Sequence, residues 1–313
     1  MIFQYQAITM FQLLNELTQI HSPSGEEYNM KNFIINYIKS HSDSWKNKPE
    51  IIEGNDFQDC LMIKFGSPKT VAFAHMDTTG FTCRYENQLV PIGSPNVNTG
   101  DIIQGKDVFG DIECKIQIDE EFHVFHDFPR AIQRGTSLTY SADFKETEDY
   151  IISPYLDNRV GIFNLLKIAE TIENGLLVFS AWEEHGGGSV PYLIRYAFEK
   201  FKVRTALISD VTWITDGIQF GEGVVISMRD KNIPRKTFVD KVISIANANK
   251  IKYQLEVEGS GSSDGREIQQ SAFPIDWCFI GPPETDAHSS HEKIHKADLL
   301  EMISFYTCLF REL

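Results

Sequence analysis

Six side chains of the kinds that bind metal ions and move protons are spread along the 313-residue chain: His75, Asp157, the pair Glu183 and Glu184, Asp210, and His288. Nearly all follow a strongly apolar run. Thr70–Ala74 (TVAFA) leads into His75, Leu176–Trp182 (LLVFSAW) into Glu183, and Thr205–Ser209 (TALIS) into Asp210, while Ile275–Ile280 (IDWCFI) ends shortly before His288. Short apolar runs bounded by polar turns read as buried strands of a parallel sheet. In open α/β sheets, ligands bind beyond the carboxyl ends of the strands. The pattern therefore predicts that these groups converge on one edge of one sheet. Imidazole nitrogen and carboxylate oxygen are zinc donors, and a catalytic site keeps one position open for water. A two-metal hydrolase needs a shared carboxylate, two terminal ligands on each ion and one unliganded base. The six groups match that complement.

Each residue also has an ordinary reading. His75-Met76-Asp77 is an H-x-D that occurs by chance, and Glu183-Glu184 would serve as a solvated turn. Asp157 would cap a helix, Asp210 would be a loop carboxylate, and His288, His291 and His295 would be exposed loop histidines. Gly186-Gly187-Gly188 after the glutamate pair lets backbone approach a ligand closely. The metal-site expectation rests on the coincidence that all these groups fall at strand ends or helix starts.

The elements that must position them follow from periodicity. Phe11, Leu14, Leu17 and Ile20 have helical spacing over residues 9–21. Ser24-Gly25-Glu26-Glu27 forms a capping box, with Ser24 as N-cap and Glu27 at N3. The next helix presents Met30, Phe33, Ile34, Tyr37 and Ile38 on one face. Leu61–Phe65 and Thr70–Ala74 read as strands, and further helices are expected at 157–170 and near 188–200, 234–249 and 264–271. Between about Arg84 and Ser153 apolar and polar residues alternate, as in DIECKIQID (111–119), which predicts a small antiparallel β module. The fold class is α/β: a mixed, largely parallel central sheet flanked by helices, with a small inserted β domain.

Composition narrows the classes of function. Hydrophobic residues make up 42% and charged residues 23%, ordinary for a globular enzyme. A formal charge of −15 disfavours nucleic acid and anionic membrane, since nothing would neutralise phosphates. The five cysteines (Cys60, Cys83, Cys114, Cys278, Cys308) are scattered and form no C-x-x-C, which points to reduced thiols in a cytoplasmic protein. The N-terminal MIFQYQAITMFQLLNELTQ has no basic leader region, so a signal peptide is not expected. No apolar stretch is long enough to span a bilayer.

Taken in order, AHMDTTGF (74–81), YLDNRVG (155–161), WEEHGGGS (182–189), ISD (208–210), GSSDG (261–265) and AHSSHE (287–292), with PSGEE (23–27), make a specific set. The set resembles the glutamyl aminopeptidase/endoglucanase-M type of dinuclear zinc aminopeptidase, relatives of the self-compartmentalising tetrahedral aminopeptidases. The resemblance implies a catalytic metallopeptidase domain of the zinc-peptidase phosphorylase/hydrolase-like fold over residues 1–83 and 154–313. Residues 84–153 would be an inserted oligomerisation or lid module. Peptides would be the substrates and a homo-oligomer, dimer or larger, the assembly. Two divalent ions are implied, zinc first, with cobalt or manganese as alternatives. His75 and Asp210 would hold one, Glu184 and His288 the other, and Asp157 would bridge them. Glu183 would be the general base, and Asp77 would hydrogen-bond the far nitrogen of His75. The peptide bond after Asp157 would be cis.

Three features depart from that family. Thr78 replaces an acidic residue, His185 replaces an apolar one and sets an extra imidazole near the metals, and the insert is shorter. Within the same metal chemistry, a deacylase of N-acyl amino acids is the alternative. A serine esterase is a rival, because His185-Gly186-Gly187-Gly188 and Gly261-Ser262-Ser263-Asp264-Gly265 match an oxyanion loop and a nucleophile elbow, with Asp286 and His288 downstream of Ser263. Against it, Tyr253–Glu258 alternates instead of forming a buried central strand, and only 50 residues follow Ser263. A non-catalytic binding or assembly subunit is the reading outside enzymes.

Overall fold

The computed structural model describes residues 10–313, so the expectation about the first nine residues lies outside them. Two-sided burial explains the central strands. All six residues of Thr70–His75 are buried, with Val71 and Phe73 in one apolar cluster and Ala72 and Ala74 in the other. Leu176 and Val178 alternate in the same way with Leu177 and Phe179. Such strands must lie inside a sheet covered on both faces.

The main sheet has eight strands, in the order Glu50–Ile52, Leu61–Phe65, Gly175–Ser180, Thr70–His75, Thr205–Ser209, Asp276–Gly281, Val224–Arg229 and Tyr253–Val257. Its four central strands, from Gly175–Ser180 to Asp276–Gly281, run parallel. The first two strands are antiparallel to their neighbours, and Val224–Arg229 is antiparallel to Asp276–Gly281. Helices α1 (Gln12–Thr18), α2 (Tyr28–His41), α3 (Leu156–Ala169), α5 (Lys236–Ala248) and α7 (Lys296–Glu312) pack on one face. Helices α4 (Val190–Phe201) and α6 (Gly265–Gln270) cover the other. The expected strands and helices are present with ends shifted by a few residues.

Six strands between Gly80 and Tyr140 close into a small antiparallel barrel with its own core of Phe81, Ile103, Ile116, Leu138 and Tyr140. Lys145–Glu146 and Tyr150–Ile152 belong to a separate five-stranded sheet, where Tyr150–Ile152 pairs with Lys293–His295. All five cysteines are free. Among the described residues no helix is long and apolar enough to cross a membrane.

The capping box does not form. Helix α2 starts at Tyr28 after Glu27, without a side-chain cap. Ser24 Oγ donates instead to Asp77 Oδ2 at 2.6 Å, and Glu27 Oε1 accepts the Gly25 and Trp182 amides. A buried ionised acceptor outcompetes a helix-end amide for the hydroxyl, because hydrogen bonds to a charge are the stronger ones.

Gly161 shows how closely α3 lies against the sheet. A Cβ there would sit 2.1 Å from the Ser209 carbonyl oxygen and 2.3 Å from Asn158 Oδ1. Gly161→Ala should therefore destabilise the fold by about 1–3 kcal/mol, despite the ~1 kcal/mol helix-propensity advantage of alanine. Urea unfolding tests this; a variant as stable as the parent would mean that α3 can shift away from the strand.

Candidate active site at the carboxyl edge of the sheet

The parallel strands deliver the candidate residues to one edge. His75 ends its strand opposite Ser180 on the neighbouring strand, and Asp210 follows Ser209 directly. Past Ser180 the chain turns through Trp182, whose φ of +64° lies in the left-handed region, into a short 3-10 turn at Glu183–His185. Tyr155 (φ +69°) precedes Asp157, and His288 itself has φ +61°. Non-glycine residues in this region cluster where a structure over-determines a site. The Asp157–Asn158 peptide bond is cis. Asn158 fixes the turn, donating from Nδ2 to the Ser209 carbonyl and accepting the Gly161 amide on Oδ1.

The groups meet around Asp157. His75 Nε2 lies 3.0 Å from Asp157 Oδ1 and 3.6 Å from Asp210 Oδ2. His288 Nε2 lies 3.3 Å from Asp157 Oδ2 and 3.2 Å from Glu184 Oε2. The central carboxylate therefore gives one oxygen to each imidazole. Donor atoms of His75, Asp157 and Glu184 lie within 4.8 Å of one another. Nitrogen and carboxylate oxygen, with acids outnumbering the two imidazoles, suit a divalent cation. Asp157 caps no helix, and its backbone amide donates to Glu292 Oε2 at 3.0 Å.

Asp77 does more than the sequence suggests. His75 Nδ1 faces the Asp77 backbone carbonyl at 3.1 Å, and the Asp77 carboxylate at a longer 3.5 Å. That carboxylate accepts the backbone amides of Glu183 (3.1 Å) and Glu184 (3.0 Å), so it fixes the glutamate turn. Behind it the buried Arg159 guanidinium donates to the carbonyls of Met76 and Ile20.

Other residues fall elsewhere. His185 is exposed, and its Nδ1 accepts the amide of Gly93, next to Ser94, whose carbonyl faces His288 Nδ1 at 3.1 Å. Thr78 is buried against the Ser22–Ser24 segment, with its amide on the Ser22 carbonyl. The approach at Gly187 is to protein, since a Cβ there would meet the Glu267 carboxylate at 2.7 Å. Ser263 Oγ donates to Asp210 Oδ2 at 2.6 Å, His288 is engaged with Asp157 and Glu184, and Asp286 lies 4.0 Å from His291, so no serine triad is assembled. His291 and His295 face Asp286 and Asp298. Reading the residues in isolation missed the roles of Ser24, Arg159, Ser263 and Glu292, although all but Arg159's function lay in motifs whose polar character stood out.

Burial dominates the electrostatics. It pushes Glu183 well above the usual carboxylate range, His75 opposing and Glu184, Asp210 and Asp264 adding to it. Burial and Asp157 push Glu184 up to about 8, and burial raises Asp264 to about 7. Burial opposes charging of His288, yet Asp157, Glu184 and Glu292 raise it to about 11. An acid raised by folding contributes stability below its unfolded value, lost as pH climbs through the folded value, and a raised histidine behaves alike. Protein stripped of divalent ions should thus lose thermal stability from about pH 5 to about pH 9, and a divalent ion should restore it at the alkaline end. Calorimetry checks this, and a melting point that rises over that range would contradict it.

Comparisons with known proteins bear on the family and the fold. The family model described as M42 glutamyl aminopeptidase matches residues 111–305. A protein of Acetivibrio thermocellus assigned as an aminopeptidase is 25% identical, over 93% of this chain and 95% of its own. An aminopeptidase from the archaeon Desulfurococcus kamchatkensis superposes with a TM-score of 0.84 at 22% identity, covering 97% of this chain and 94% of that one. The TET1 peptidase of Pyrococcus horikoshii, which can assemble into a tetrahedron or a large octahedral shell, gives 0.81 at 19% identity, over 97% and 100% of the two chains. With a family match over more than half its length, the chain belongs to the M42 glutamyl aminopeptidase family and is a peptidase hydrolase.

Proposed function

We propose that the protein is a metal-dependent aminopeptidase that removes N-terminal residues from peptides at a dinuclear centre. The observation that carries this reading is the Asp157 carboxylate, which turns Oδ1 to His75 and Oδ2 to His288. In the proposal His75 and Asp210 hold one divalent ion, Glu184 and His288 the other, and Asp157 both. Zinc suits these donors, with cobalt or manganese as substitutes. When bound, such ions polarise the scissile carbonyl and acidify a water molecule.

The rest is the work of the chain. Glu183 is the general base: it takes a proton from the attacking water and returns it to the leaving amine, which suits a carboxyl that burial raises above the usual range. Asp77 is a positioning residue, since its oxygens hold the amides on which Glu183 and Glu184 turn. In this scheme residues 1–83 and 154–313 are the catalytic domain and 84–153 the inserted module, although the barrel itself begins at Gly80 and Tyr150–Ile152 pairs with Lys293–His295. Phe109 and Phe122, at turns of the barrel, are 76% and 86% exposed, which supports a homo-oligomer contacted through that module.

The test separates base from ligand. Glu183→Gln should lower turnover of aminoacyl p-nitroanilides by about 10²–10⁴-fold while metal content holds, whereas Glu184→Gln should lose metal. Equal metal loss in both would refute the division of roles, and faster cleavage of N-acetylated substrates would favour the deacylase. Light scattering should find a dimer or larger species, and a monomer at micromolar concentration would refute the assembly.

A further inference from the structure

Two cavities open onto the candidate catalytic groups: one reaches Glu183, Glu184 and His288 beside Arg266 and Glu267, and the other lies on the Asp157 and Asp210 side. Asp157, Glu183, Asp210 and His288 line the second, and its volume is about 110 Å³. The cavity is large enough to receive an amino-acid side chain. The remaining lining has an unusual make-up. Val211, Trp213 and Phe279 give it apolar surface, and Asp230, Glu256 and Glu258 give it three carboxylates. No lysine or arginine lines it among the described residues.

These carboxylates lack a matching cation. Asp230 is 9% exposed. Its Oδ1 accepts the Asn232 amide and side-chain nitrogen, while Oδ2 accepts nothing from another residue among the described ones. Glu256 is 3% exposed and receives only a neutral donor, the Thr212 hydroxyl. The neighbouring guanidinium, Arg229, directs Nε to the backbone carbonyls of Asp230 and Glu258, not to their carboxylates. A buried carboxylate without a cation is costly, and a bound cation would remove that cost.

Resting on the aminopeptidase reading above, we propose that this cavity receives the first side chain of the substrate and selects lysine or arginine. The stem of such a side chain is apolar and packs on Trp213, Phe279 and Val211, while its charged head meets Asp230, Glu256 and Glu258. Trp213 adds a ring face that attracts a cation. An N-terminal glutamate would bring a like charge into the same cavity and be rejected. The α-ammonium group does not account for three carboxylates, because it is a single charge confined next to the scissile bond in every substrate.

Lysine and norleucine separate these contributions, since norleucine keeps the α-amine and the stem but lacks the ammonium head. Metal-loaded enzyme should cleave lysine p-nitroanilide with a kcat/KM about tenfold or more above that of norleucine p-nitroanilide. Lysinamide should likewise bind chelator-treated protein about tenfold more tightly than norleucinamide by calorimetry. Glu256→Gln and Asp230→Asn should each bring both ratios toward one. Glu258→Gln, at a more exposed position, gives the same readout if either buried substitution disturbs folding. Equal or reversed ratios overturn the cationic pocket and leave the aminopeptidase reading intact, provided both substrates are cut. Tighter lysinamide binding without cleavage of either substrate supports the pocket and refutes the aminopeptidase. Absence of both binding and cleavage overturns the two together.

Discussion

Asp77 is removed from solvent, and a carboxylate in that position costs several kcal/mol unless directed donors replace its hydration. The donors come from three separate parts of the chain. The amides of Glu183 and Glu184, the Ser24 hydroxyl and the His75 ring all converge on it, and they hold its carboxyl below the usual range although burial works the other way. Satisfying this one charge therefore fixes the end of the His75 strand, the turn after the Gly175–Ser180 strand and the entry to α2. The glutamate turn cannot move without leaving the carboxylate short of partners, and Arg159 closes the arrangement from behind by taking the Met76 carbonyl.

The same logic governs the charges in front. Asp157, Glu183, Glu184 and Asp210 crowd two imidazoles, and each carboxylate raises or resists the ionisation of the next. Behind them Glu284 has both oxygens buried and unpartnered, and burial with Glu292 holds it far above the carboxylate range. A divalent ion is the simplest agent able to gather such donors.

The sequence revealed those parts of the fold that depend on burial. Strands apolar on both faces can lie only in the middle of a covered sheet, so the convergence of His75, Asp157, Glu183, Glu184, Asp210 and His288 could be read from their positions alone. Residues whose partners come from afar could not be read. Ser24 has a sound local motif for helix capping, but its acceptor is 53 residues away. His185 likewise takes its partner, the Gly93 amide, from 92 residues away. Local motifs offer competing hydrogen bonds, and tertiary structure decides among them.

Chemistry and selectivity are carried by different parts of the sheet. His75, Glu184 and Asp210 stand at the ends of parallel strands whose residues are locked by packing on both faces, and Asp157 and His288 reach them from the start of α3 and from the loop after Pro283–Thr285. Asp230 and Glu256 belong to the far side, one just after the Val224–Arg229 strand and the other within the edge strand Tyr253–Val257, where Leu255 and Val257 are 46% and 70% exposed. Only the outer face of that strand, with Leu255 and Val257, is in water; Asp230 and Glu256 themselves are buried. Replacing a central-strand residue leaves a void or an unmatched polar group in a packed interior. The proposed donors are thus anchored in strands packed on both faces, and the proposed pocket lies where the sheet ends. A glutamyl name for the family and an acidic cavity in this member are compatible for that reason.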